Sequence, residues 1–133
     1  MKITSIKIRK FFAEGTMRAI LSVTFDDELV IHDIKIIQPR GKCFLVMPVH
    51  KDKTNAYRDI VHPVNSDFRN YLENVVLHAV NRAVAEFDTE QTIEPLPVEA
   101  PLSYSLDGIQ VDCSQAVISH FSGSSEDSTD TDF

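Results

Sequence analysis

Tryptophan is absent from these 133 residues, glycine occurs four times and cysteine twice. No apolar run approaches the ~18 residues needed to cross a bilayer. The N-terminus MKITSIKIRKFF alternates in character and lacks a signal peptide's apolar run and cleavage site. A soluble, cytoplasmic protein without a membrane partner is expected. Cys43 and Cys113 lie far apart with no CxxC and no ligand-spaced histidine beside them, which excludes a disulfide framework or a zinc finger as the organising element. No GxxxxGK[ST] or GxGxxG loop is present to cradle phosphate, and no GxSxG elbow to present a nucleophilic serine.

Basic residues are missing from the whole C-terminal part. All 13 Lys and Arg fall at or before Arg82, against 9 Asp and Glu there, a net +4, whereas residues 83–133 carry 11 acidic residues, a net −11. The overall charge of −7 therefore conceals a mildly basic N-terminal part and an acidic extension.

Alternation of apolar and polar residues marks the strands. Met17, Ala19, Leu21, Val23 and Phe25 share one face, with Arg18, Ser22 and Thr24 on the other. Before them, KITSIKIRKF reads as a strand joined through AEGT as a hairpin. Two further runs, ELVIHDIKIIQ and KCFLVMPV, are apolar on both faces, which suits central strands or strands covered on two sides. A four-stranded antiparallel meander is the economical topology. VHKDKTNA then reads as an exposed loop, and YRDIV as a short fifth strand returning to the sheet.

The strongest periodic signal follows. Asn65 or Ser66 offers an N-cap, Asp67 suits the positive end of the helix macrodipole, and Phe68, Tyr71, Leu72, Val75, Val76, Ala79, Val80, Ala83 and Phe87 form one apolar stripe. A helix over about 66–87, roughly 33 Å long, is predicted to lie on one sheet face. Arg69, Asn70, Glu73, Asn74, His78, Asn81 and Arg82 are expected to face solvent or a partner. One helix covers one face at most, so the remaining apolar surface invites dimerisation. The fold class is α+β: a small antiparallel meander of four to five strands, then one long amphipathic helix. Residues 1–88 are expected to form this domain, 89–121 a proline-containing acidic extension that is either a linker or a strap packed over its surface, and 122–133 a disordered acidic tail.

Chemistry is sparse. Ser66 near His62 and Asp59 is better explained by capping than by nucleophilic catalysis. His32, Asp33, His50 and His62 lack metal-ligand spacing, and His32 and Asp33 are neighbours on opposite faces of one strand. No catalytic residue, metal or cofactor is expected. His50, Lys51, Lys53, Arg58 and Arg69, by contrast, put five phosphate-seeking donors within 20 positions. Composition alone does not separate this cluster from an ordinary solvated loop.

Arg58-Asp59-Ile60, His62-Pro63, Asn65-Ser66-Asp67 and Arg69 follow Met47-Pro48 and Val30-Ile31-His32-Asp33. With KITSIKIRK and MRAILSVTFDDELVIHD, this order and spacing closely resembles the stage V sporulation protein G family, from about Lys2 to Phe87. The resemblance implies a homodimer and a non-enzymatic, site-specific DNA-binding regulator of sporulation and asymmetric septation, with RNA as a second partner in some members. It carries the basic loop onto His50, Lys51 and Lys53, and the helix start onto Arg69. Arg58 and Arg82 complete the expected nucleic-acid contacts, with Asn70 and Asn74 as further contacts on the helix. Asp59, His62, Pro63, Asn65 and Ser66 form a structural hinge between sheet and helix. The rival reading is an adaptor that recruits protein partners of division or sporulation through the acidic tail and helix face. The loop VHKDKTNAY departs from the family's basic pair followed by proline and glycine, and the chain continues well past the helix, where typical members end.

Overall fold

The computed structural model describes residues 1–120; the tail expectation for 122–133 lies outside them. The first strand, β1 (Ile3–Phe12), pairs antiparallel with β2 (Met17–Phe25), and β2 with β3 (Leu29–Ile37). At the β2–β3 turn, the Glu28 N–H donates to the Phe25 carbonyl across Asp26 and Asp27, whose φ values of 54° and 55° are the left-handed pair of a type I′ turn, and the ladder resumes with Phe25 opposite Leu29. A short β4 (Phe44–Val46) closes one edge, so the predicted meander is present.

The run around β4 does not become a central strand. It supplies three residues to an edge, and the first half of β3 leaves Leu29 and Val30 exposed. Nor does YRDIV return to this sheet. Val49–Lys51 (β5) and Tyr57–Asp59 (β6) pair only with each other as a separate two-stranded ribbon. The expected exposed loop is thus half strand.

The helix α1 spans Ser66–Phe87, as its stripe predicted. Asn65 is its N-cap: the side-chain oxygen accepts from the Phe68 N–H at 2.7 Å. Phe25 packs on Phe68 near the helix start and Phe11 on Phe87 at its end, so α1 runs in the direction of β1. The Ile3 N–H donates to the Tyr71 hydroxyl at 2.8 Å and fixes the register. Leu72, Val75, Val76, Ala79, Val80 and Ala83 fill one core with Ile6, Ile8, Leu21, Val23, Ile34 and Ile36. Burial of each Val, Leu or Ile is worth about 1.5–3 kcal/mol.

The polar flank of α1 does not face solvent throughout. After Asp88 the chain turns back along the helix, and Ile93, Leu96 and Leu106 enter the same core. Asp88 anchors the reversal: its carboxylate accepts from the Ile93 N–H at 2.6 Å and the Thr92 hydroxyl at 3.1 Å. Burial raises the Asp88 pKa, but these hydrogen bonds outweigh it and hold the carboxyl below its usual range. Three helix side chains then grip the returning backbone. Asn81 both donates to the Leu96 carbonyl and accepts from its N–H (2.9 and 2.7 Å), His78 Nε2 lies 2.9 Å from the Ala100 carbonyl, and Asn74 spans the Pro101 carbonyl and Ser103 N–H. Buried Arg18 reaches across from β2, bonding Gln38 and donating to the Glu94 carbonyl at 2.6 Å. The strap then delivers β7 (Gln110–Asp112) and β8 (Val117–Ser119), which pair in parallel with the outer edge of β1.

Candidate nucleic-acid interface

The ribbon is built from its turn outward. Asp52 accepts from the Thr54 N–H (2.8 Å), the Thr54 hydroxyl (2.6 Å), the Ala56 N–H (3.1 Å) and Arg58 Nε (2.8 Å). Asn55 takes the left-handed φ of 65° that the reversal requires, a conformation asparagine tolerates better than most residues. The Thr54 hydroxyl first, then the Arg58 guanidinium and the two amides, hold the Asp52 carboxyl far below the ordinary aspartate range. A single aspartate therefore organises a tight, exposed hairpin without a hydrophobic core behind it.

Directly opposed residues of an antiparallel ribbon share a face. His50 stands opposite Arg58, and Lys51 opposite Tyr57, whose ring centroid is 5.7 Å from Lys51 Nζ. Lys53 occupies the turn. The expected donors His50, Lys51, Lys53 and Arg58 thus occur on one small protrusion, all exposed. The ion partner of Arg58 is Asp52, at 2.8 Å, not the adjacent Asp59. Asp59 is exposed at the ribbon's end opposite Val49, and the Ile60 N–H donates to the Pro48 carbonyl.

The hinge Ile60–Asn65 then leads into the helix. His62 is exposed, with Nδ1 2.9 Å from the Pro63 carbonyl, and Ser66 is the first helical residue. Arg69 lies in the first helical turns, 3.8 Å from Glu73. Arg82 is exposed ~20 Å further along the helix, at 1.5 Å per residue, and so is not brought to the ribbon. Asn74, expected to face a partner, is occupied by the strap.

A second polar surface lies on the sheet face opposite α1, a shallow cavity of about 720 Å³ containing Ser5, Lys7, Arg9, Ser22, His32 and Asp33. His32 Nδ1 is 2.9 Å from the Ser22 hydroxyl, and Arg9 pairs with Asp33 at 2.8 Å. The expected placement of His32 and Asp33 on opposite faces does not hold. Asp33 is an extra residue in β3, a bulge at φ 61°, which turns both side chains to the open face. Among the described residues no group of three His, Cys, Asp or Glu could hold a metal. Cys43 and Cys113 are free, and burial pushes both thiols up. No described helix is long and apolar enough to cross a membrane.

The SpoVG family model matches residues 1–82, spanning the meander, the ribbon and most of α1. The chain belongs to the SpoVG family. It is 45% identical over 91 residues to a Clostridium botulinum (strain Alaska E43) protein named "Putative septation protein SpoVG", covering 68% of this chain and all of that one. Proteins of the same name from Caldanaerobacter subterraneus and Lachnospira eligens are each 46% identical over 83 residues, covering 62% of this chain and 91% and 94% of theirs. These SpoVG relatives are named for septation and for no enzymatic activity. The match to the SpoVG family model stops at Arg82, so the strap, β7 and β8 are additions beyond the matched segment.

Proposed function

We propose that this SpoVG-family chain is a non-enzymatic regulator in septation and sporulation control that binds DNA, and RNA as a second ligand, through the β5–β6 ribbon. The supporting observation is the concentration of His50, Lys51, Lys53 and Arg58 on a two-stranded ribbon separate from the main sheet. A ribbon of this kind fits the roughly 12 Å width of a duplex major groove. Arg69 adds a cation at the helix end nearer the ribbon in sequence, where macrodipole and backbone N–H groups also favour phosphate. Homodimerisation would present two ribbons and double a small basic patch. The names of the relatives support the cellular role, septation.

The test is a salt titration of binding to random duplex DNA and RNA. If a dimer neutralises about six phosphates, log Kd should change with log salt by about 5 on duplex DNA. Charge reversal at Lys51 and Lys53 should weaken binding on every sequence alike. A flat salt response refutes the reading. The adaptor reading is favoured by the strap, whose exposed Glu94, Glu99 and Asp107 make the covered helix flank acidic. It expects the Lys51 and Lys53 reversals to leave cellular function intact.

A further inference from the structure

Tyr57 has no packing task that accounts for it. Its side chain lies outside the core, is 66% exposed, and meets only the Lys51 ammonium among the aromatic and cation contacts of the described residues. An aromatic ring held in water at the end of a ribbon is useful when a ligand supplies the missing surface. We infer that Tyr57 is a stacking platform for an unpaired nucleobase, so that the ribbon takes single-stranded nucleic acid by a contact that a duplex cannot make. This rests on the ribbon being the nucleic-acid contact.

The two ribbon faces differ in the required way. On one, Arg58 is tied to Asp52 at 2.8 Å, which offsets its charge beside His50. On the other, Tyr57 and Lys51 stand opposite each other, with Asp59 two residues along the same face, and among the described residues no ion pair ties Lys51 to a carboxylate. A phosphate at Lys51 and its base against the ring would engage one nucleotide from both ends. The Asp52 turn fixes where the ring sits before any ligand arrives, through the Asp52 N–H to Ala56 carbonyl bond at 2.9 Å and the Asn55 N–H to Asp52 carbonyl bond at 3.1 Å. Stacking tolerates any base, because every base has a π-face. In a duplex those faces are already covered by neighbouring pairs, and the ring is left with edges and backbone.

The experiment uses full-length protein and labelled oligo(dT), oligo(U) and a mixed-sequence duplex, read by fluorescence anisotropy, with Tyr57→Ala and Tyr57→Phe. Single-stranded DNA and RNA share the base face, and the two homopolymers tell them apart. Tyr57→Ala should weaken binding to at least one single strand by about fivefold or more. It should change duplex binding less than about twofold, and Tyr57→Phe should match the parent on all probes. Circular dichroism confirms that both variants are folded. Single-strand affinity unmoved by Tyr57→Ala, or an equal loss on strand and duplex, overturns the stacking role and leaves the regulator reading standing. A parent that binds no probe overturns both.

Discussion

Two helix asparagines make a controlled comparison of what buried polar groups contribute. Asn74 and Asn81 lie seven residues apart on α1 and each makes two hydrogen bonds to strap backbone, at 2.7–3.0 Å. Asn81 makes both bonds to one residue and Asn74 bridges two, but the larger difference is in their surroundings. The Asn81 pair with Leu96 is partly buried, and Leu96 itself is in the core, whereas the Asn74 bonds to Pro101 and Ser103 are exposed. Replacing Asn81 with Ala leaves one N–H and one carbonyl of Leu96 without partners in a largely apolar setting. At about 1–3 kcal/mol for each stranded group, less where water enters, the loss is ~2–4 kcal/mol. The better helix propensity of Ala returns up to ~0.7 kcal/mol. Asn74→Ala leaves the Pro101 carbonyl and the Ser103 N–H open to water, which satisfies them, so the propensity gain should leave its net cost under about 1 kcal/mol. Urea unfolding followed by circular dichroism, with a common m-value, measures both. Equal costs, or a larger one for Asn74, would refute the claim that desolvation rather than bond count sets the contribution. A loss of ~2 kcal/mol is a large share of the roughly 5–15 kcal/mol by which a domain is stable.

Two further outcomes are expected. Asn65→Ala removes the acceptor for the Phe68 N–H and should cost about 1 kcal/mol, visible as a lowered Tm, while Ser66→Ala should cost less because Ser66 is not the cap. The Asp52 carboxyl is depressed in the folded state, so its contribution is complete above the ordinary aspartate pKa of about 3.9 and is lost only as pH falls through the lower folded value. The amide signals of Thr54 and Ala56 should therefore stay unchanged by NMR down to about pH 3.9 and move only in stronger acid; titration at the ordinary value would contradict the turn.

The helix and the first two strands were legible because each wears its period openly, and β3 because its apolar run is bounded by turn residues. Asn65 and the stripe ending at Phe87 bound α1 at both ends, and alternation assigned the inward face of β2. What escaped was structure without a period. The three-residue strands β5 and β6 are too short and too charged to alternate visibly, so β5 reads as part of a loop and β6 as a strand of the main sheet. The bulge at Asp33 changes which way a side chain points without changing the pattern of residue types. The strap's apolar residues, Ile93, Leu96 and Leu106, stand among prolines at irregular intervals, and their partners Asn74, His78 and Asn81 are polar residues of a kind usually met at the surface. A signal was nevertheless present. Leu77 and Val84 sit seven residues apart beside the main stripe, and both are buried; an apolar pair on a nominally polar flank implies a second cover. The basic residues of the candidate site were readable by composition, but their division between two ribbon faces needed the pairing register.

The parallel pairing of β7 and β8 with β1 has a consequence for synthesis. Among the described residues, the outer edge of β1 is satisfied by segments made roughly a hundred residues after it, a separation that slows closure. Until those segments leave the ribosome, the outer edge of β1 is open to any other extended chain, including its twin on a neighbouring ribosome of the same message. The strap thus sets a period of vulnerability during production, ended by the arrival of β7 and β8.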